Sequence, residues 1–374
     1  MSVVAKTLAM FRTQSGARHI GPIGVDFALE YIHLVQLESL ADGALHVRAK
    51  ATMPFDCPRR ELLARPHQFR SLVRRALDSD RFYGRKAVLA MPPGMFRTVS
   101  INYQFAGPKD QEAGVVLRVM KDRLDGDLSN YVLDYMPVKN RSKSDEHLAL
   151  VAVSERQPVI DFLEMSRKAK LDAQALEIGP VAISRLVSAL SAEQGASNVL
   201  VINSGRRASY LTLISGSDLL FDQEVGMGED SLIHKVSETL DMSEHMARDL
   251  VLRTGVCPDS ESDATTDNDD NGLMKTMSEI LKPQFLKLVA EVKRAFMYAA
   301  AETRGGAVSQ VYLLGGIARW RGSDRLLSQL AGVKVQKIPD PLALFPSIDG
   351  RDLQPVDKSA PEVAVATGLA LRGM

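Results

Sequence analysis

At 374 residues the chain is longer than one ordinary domain and fits two, and its 45% hydrophobic content supports sizeable cores. The 46 acids balance 46 bases to a formal net charge of zero, which argues against a dedicated nucleic-acid binder with its basic surplus. The two cysteines, Cys57 and Cys257, have no metal-type spacing and suit a reducing compartment, and no run of 18 apolar residues offers a membrane span.

The first 19 residues place Val4, Leu8 and Phe11 on one helical face, with Lys6 and Arg12 elsewhere. They lack the long apolar region and cleavage site of a signal peptide, so a short leader or docking helix is expected in preference to a membrane-surface helix. Residues 23–55 read as a three-stranded meander turning at Asp42-Gly43. Arg60–Asp78 has the apolar spacing of one helix, Lys86–Met91 of a buried strand stopped by Pro92-Pro93-Gly94, and Phe96–Tyr103 of a further strand. Then follow a helix over Lys109–Leu124, a strand over Tyr131–Val138, a polar turn over Lys139–Glu146, a strand over His147–Ser154 and a helix over Arg156–Lys170. This β/α module, at about 104–172, is expected as an insert in a first domain spanning 20–198. Ala173–Ile178 leads into a helix from Pro180 to Leu190, and the polar linker Ser191–Asn198 marks the boundary.

The second domain, 199–358, repeats the plan. Three strands run from Val199 to Val225, with helices over Glu229–Leu240 and Ser243–Arg253. Residues 259–272 carry six acids and no base and read as a solvated insertion. A long helix over Met274–Thr303, with a bend expected at Pro283, precedes a buried strand, Gln310–Leu314, that runs into Gly315-Gly316, and a helix over Arg321–Leu330. In the closing segment, 359–374, Ser359 and Glu362 form a capping box, and Ala364, Ala366, Gly368 and Ala370 let a helix pack closely, here back on the first domain.

Two stretches match at an offset of 177. Ile23-Gly24-Val25-Asp26 corresponds to Leu200-Val201-Ile202-Asn203, and Ala28 to Gly205. Each is an apolar strand, a polar residue, a tight turn and a second strand. With Gly315-Gly316 after a buried strand and the small-residue C-terminal segment, this order resembles the actin/hexokinase/heat-shock-chaperone ATPase superfamily. The resemblance is closer to one branch, the type IV pilus assembly protein PilM family, through Gly24–Leu37, Val311–Gly322 and Val363–Gly373, most specifically the ending GLALRG. It covers nearly the whole chain from about residue 20.

The resemblance implies an α/β actin-like ATPase fold: a duplicated ribonuclease H-like fold, two domains around a cleft, with a small β/α subdomain inserted in the first. It implies a cytoplasmic protein peripheral at the inner membrane. Such a protein binds the N-terminal cytoplasmic segment of a PilN-like membrane protein in a groove on the first domain, alongside other pilus inner-membrane assembly components. It also implies ATP with Mg²⁺ between the halves. The cofactor positions would be Asp26, Ala28, Ser204, Gly205, Arg206, Gly315 and Gly316, with Asp26 also serving the metal. Several depart from the family pattern. Ala28 replaces a glycine, and Glu30 puts a carboxylate beside the phosphates. Asn203 loses the charge that would hold Mg²⁺ or polarise a water. Arg206 and Arg207 either reach phosphates or are solvated turn residues. Ala247-Arg248-Asp249-Leu250-Val251 matches the adenosine-contacting helix, with Arg248 for an acid and Val251 for a lysine. No catalytic residue is assigned. A non-catalytic assembly component is expected ahead of an active ATPase or phosphotransferase, and both ahead of an FtsA-like filament-forming membrane tether.

Overall fold

The structure is a computed structural model, and it describes residues 18–374 apart from 42, 109–110, 139–145, 191–197, 217, 259–268, 304, 339 and 346–362. Most of the expected leader, of the polar turn after residue 138, of the expected linker and of the acidic stretch, together with the Ser359/Glu362 capping box, therefore lie outside the described residues.

The first half opens with strands β1 (His19–Phe27), β2 (Tyr31–Ser39) and β3 (Leu45–Pro54). Helices α1 (Arg59–Leu63) and α2 (Pro66–Asp78) follow, then β4 (Lys86–Ala90). The expected single helix over Arg60–Asp78 is in fact two. Pro66 disfavours helical backbone at the residue before it, and Arg65 accordingly sits at φ −120°, ψ 85°. Pro66 then occupies the start of α2, where its missing N–H costs little.

Strand β5 (Arg97–Gln104), helix α3 (Glu112–Lys121), β6 (Tyr131–Val138) and β7 (Glu146–Glu155) form a separate three-stranded sheet, ordered β5-β7-β6. Strand β5 pairs with β7 and turns Ile101 and Tyr103 into this unit's own core. The last strand of this sheet in chain order, β7, ends at Glu155. The next helix, α4 (Arg156–Lys168), buries Phe162 and Met165 with Phe27 and Phe69 of the first half. The Phe27 and Phe69 rings stack at 4.8 Å, and Phe162 meets Phe27 edge-on at 5.6 Å. Strand β8 (Asp172–Glu177) and helix α5 (Gly179–Leu190) complete this half.

The second half comprises β9 (Asn198–Ser204), β10 (Ser209–Ser215), β11 (Asp218–Val225), α6 (Glu229–Leu240), α7 (Glu244–Thr254) and the 34-residue helix α8 (Asp269–Glu302) with Pro283 inside it. Then come β12 (Val308–Gly315), a 3₁₀ turn over Gly316–Arg319, α9 (Ser323–Ala331), β13 (Val335–Lys337) and the C-terminal helix α10 (Ala364–Ala370).

The two main sheets are copies of one topology, β3-β2-β1-β4-β8 and β11-β10-β9-β12-β13. In each, the first strand pairs antiparallel with the second and parallel with the fourth. Asp26 and Asn203 are each the next-to-last residue of the equivalent strand, so the 177-residue offset is a structural equivalence. The central strand β1 is buried on both faces, which explains its near-continuous apolar run. One face packs Ile23, Val25 and Phe27 on the first-half helices. The other meets α10, which with α5 joins a core containing Val199, Val201 and Leu314 of the second sheet. The insert also touches the second half, where Val138 and Leu148 enter its core and the Thr98 hydroxyl donates to the Asp222 carbonyl at 3.3 Å.

Candidate functional site

The β1–β2 and β9–β10 turns face one another at the carboxyl ends of the parallel strands, where open α/β sheets place their ligands. In the first turn Asp26 is 6% exposed, and no described residue from Ala28 to Tyr31 needs a positive φ, so alanine serves where the family pattern has glycine. Arg59 of α1 closes this turn from the side. Its guanidinium donates to the Phe27 and Ala28 carbonyls, both at 3.2 Å, and to the Pro93 carbonyl at 2.8 Å. Burial lowers the Arg59 pKa, and the Asp26 charge opposes that shift. On this side the turn offers acceptors to a cation.

In the second turn the Gly205 N–H donates to the Ala208 carbonyl at 2.9 Å, and a Cβ on Gly205 would lie 2.8 Å from that oxygen. The first N–H groups of α6, the natural anion-binding end of a helix, are already used. Glu229 donates to the Gly205 carbonyl at 3.0 Å and Asp230 to the Arg206 carbonyl at 2.8 Å. Gly315 (φ 82°) lets β12 close on β9, since its Cβ would lie 2.1 Å from the Ser204 carbonyl oxygen. A Cβ on Gly316 would lie 2.4 Å from a carboxylate oxygen of Glu229. The Gly-Gly pair thus makes room for a backbone strand and for a side chain of this same chain.

Six charged side chains run through the site as one chain. Glu30 of the first turn pairs with Arg206 of the second, joining the two halves directly. Arg206 also holds Asp230 at 2.9 Å, and Arg248 of α7 meets Asp230 at 2.7 Å and Glu229 at 2.8 Å. Arg319 takes the other Glu229 oxygen at 3.1 Å. The Glu229 side chain is 1% exposed, and these two guanidiniums are its charged neighbours. Burial works against the Arg206 charge, but the Asp230 hydrogen bond and charge, with Glu30 behind them, more than offset it and raise its pKa.

The expected positions are therefore brought together, but their contacts are internal. Asp26 lies in the field of Arg59, and Arg206 is engaged by two carboxylates. Arg248, expected in the adenosine-contacting position, pairs with the start of α6, while Val251 is core. Arg207 is exposed. Mg·ATP does not fit this arrangement. A Glu229 carboxylate covers Gly316, and the guanidiniums of Arg206, Arg248 and Arg319 are matched by three carboxylates. Sequence reasoning missed Arg59, Glu229, Asp230 and Arg319. The available signals were two acids opening a helix directly after Gly226-Met227-Gly228, and an arginine three residues past Gly316.

Among the described residues, one hollow borders this centre and another lies on the insert. One, of about 660 Å³, includes Tyr31, Phe55, Arg59, Leu63, Met95 and Arg207 in its walls. The other, about 380 Å³, is a groove on the insert between Leu117 of α3 and the Leu128–Leu133 segment, with Arg156 at its end. Arg156 fixes that segment by donating to the Ser129 carbonyl at 2.6 Å and the Tyr131 carbonyl at 3.2 Å.

Residues 24–374 match the family model of the type IV pilus assembly protein PilM. A chain of the PilM–PilN type IV pilus biogenesis complex is similar in structure, with a TM-score of 0.72 at 20% identity, over 94% of this chain and 98% of that one. The ethanolamine utilization protein EutJ from Carboxydothermus hydrogenoformans is similar at a TM-score of 0.51 and 14% identity, over 99% of this chain and 98% of its own. MreB 5 of Spiroplasma citri, in a structure with bound AMPPNP, gives 0.47 at 11% identity over 95% of each chain.

Proposed function

The chain belongs to the type IV pilus assembly protein PilM family and has the actin-like ATPase fold, and from that premise we propose that it is a non-catalytic assembly component. In this reading it works at the cytoplasmic face of the inner membrane in a type IV pilus or related secretion system. It takes the N-terminal cytoplasmic segment of a PilN-like membrane protein, in company with other inner-membrane assembly components. The carrying observation is the family match over residues 24–374, which includes the whole three-stranded insert. A peripheral location agrees with the helices: among the described residues none is long and apolar enough to cross a membrane.

The two large sheets are a frame that serves many activities, so the specialised contact is better sought on the added unit. The insert groove suits an extended apolar segment. Leu117 is 42% exposed at its wall, Leu128, Tyr131, Val132 and Leu133 line it, and β6 has a single sheet neighbour, β7. An extended peptide there gains side-chain pockets and the free part of a strand edge. Turnover of ATP with Mg²⁺ is not part of this function: Asn203 supplies no carboxylate, and Glu30, Arg206, Asp230 and Arg248 are engaged with one another.

The test is fluorescence anisotropy of a labelled peptide carrying the N-terminal segment of a PilN-like protein, titrated with the full chain. Saturable binding that falls at least tenfold in Leu117→Asp and Val132→Glu is expected. No binding at high micromolar concentration removes the assignment, and binding unchanged in both variants removes the groove. Phosphate release from Mg·ATP above background, lost in Asp26→Ala, would instead establish an active ATPase.

A further inference from the structure

The disagreement between the residues of the cleft and Mg·ATP has a structure of its own. The chain Glu30–Arg206–Asp230–Arg248–Glu229–Arg319 alternates in sign along its whole length and sums to zero charge. Its first link joins residues 176 positions apart, one in each of the two equivalent turns. Its last carboxylate lies over Gly316, and only the absence of a Cβ there leaves room for it. The elements it ties are the first-half hairpin, the second-half hairpin, the start of α6, α7 and the turn after β12. We propose that this ionic chain is a built-in latch that takes the nucleotide's place in the cleft and holds the two halves closed with no nucleotide bound.

The physical case rests on cost and replacement. A triphosphate bridging the two turns would need guanidiniums that now serve Glu30, Asp230 and Glu229. Freeing Arg206 leaves Glu30 facing the incoming phosphates, so entry opposes both the lost pair and a like-charge contact. Moving Glu229 off Gly316 would part a carboxylate from the two arginines that it now pairs with. The link of this ionic chain that crosses between the halves, Glu30–Arg206, is also its most solvent-reachable one, with the Glu30 side chain 42% exposed and that of Arg206 27%. Salt and charge therefore act on the first link, while Asp230 and Glu229 hold the deeper part as a unit.

The latch is independent of peptide binding and is tested by a different measurement. Backbone hydrogen exchange of the full chain is followed in the segments 27–31, 203–208 and 228–231, with and without 5 mM Mg·ATP, in the wild type, Glu30→Ala, Arg206→Ala and the double variant. The wild type is expected to be protected in all three segments without nucleotide and to change less than twofold on adding Mg·ATP. Glu30→Ala and Arg206→Ala are each expected to speed exchange at least fivefold in 27–31 and 203–208. The double variant should be no faster than the faster single one, because both remove one link. The exposed position of Glu30 makes Glu30→Ala a variant that folds, and exchange in β8 and α10 serves as the check. Protection that appears only with Mg·ATP overturns the proposal. So does an unchanged rate in both single variants, or rates that multiply in the double variant.

Discussion

Gly24 of β1 lies so close to Ala366 of α10 that a Cβ on the glycine would sit 2.1 Å from the Ala366 carbonyl oxygen and 2.6 Å from the Ala370 nitrogen. Both obstacles are backbone, which cannot rotate aside. Gly24→Ala is expected to push α10 off the sheet and destabilise by about 3 kcal/mol. Gly114, on the exposed side of α3, has nothing within 4 Å of its Cβ position, and Gly114→Ala is expected to stabilise by about 0.5–1 kcal/mol through helix propensity. Urea denaturation of the two variants checks the contrast, and similar midpoints would refute the close-packing account.

The same helix is held by charge. Glu177, its side chain 6% exposed at the end of β8, receives Arg185 through both oxygens at 2.9 Å and Arg372 through one. Arg185 also donates to the Gly368 carbonyl at 2.7 Å, so it ties α10 directly as well as holding Glu177 of β8. Arg372→Ala leaves Glu177 paired and is expected to cost about 1 kcal/mol. Arg185→Ala leaves Glu177 with one partner and Gly368 with none of its side-chain bond, for about 3 kcal/mol. The order of the two thermal midpoints is the check, and Arg372→Ala falling below Arg185→Ala would contradict it.

Depth decides the worth of an ion pair. Glu229 has two guanidiniums and almost no solvent, so Glu229→Ala strands Arg319 and half of Arg248 and is expected to cost about 3–5 kcal/mol. Glu61 and Arg65 pair at 2.9 Å with about half of each side chain exposed, and Glu61→Ala is expected to cost less than about 0.5 kcal/mol. Guanidinium denaturation would mask both through salt, so urea at low ionic strength is the measurement. Equal losses would mean the buried network carries no special share.

Much of the frame was legible in the residues themselves. Strands β1, β9 and β12 are continuous apolar runs because both faces are covered, and the Asp26/Asn203 offset survives as a positional equivalence between strands. The break at Arg65-Pro66 was also written locally, in a proline that an apolar count overlooks. The sheet to which β5 belongs was not, because its alternation fits either sheet and the partner that decides, β7, lies far along the chain. The site divides in the same way. Turn residues could be named from spacing, whereas Arg59, Glu229 and Arg319 arrive from helix and turn starts elsewhere, and nothing local says where an arginine's long side chain will end.

The insert meets the second half at a carboxyl group that titrates near neutrality. Asp222 of β11 accepts a hydrogen bond from the Thr212 hydroxyl at 2.7 Å, and its own carbonyl accepts from Thr98 of β5. Burial raises its pKa from 3.8 to about 7; the Thr212 bond opposes this and the nearby Glu224 charge adds to it. The folded protein therefore binds this proton more tightly than the unfolded chain does. Stability from this group is full below about pH 4, declines as pH rises through about 7, and is flat above. The decline is expected to be on the order of 2 kcal/mol, since partial exposure of β11 screens part of the shift. Asp222→Asn keeps the shape and removes the titration, so its stability relative to wild type should rise between pH 5 and 8 and level off beyond. Urea midpoints at half-unit pH intervals measure this, and a constant difference across the range would show that Asp222 is already ionised in the folded protein at pH 5.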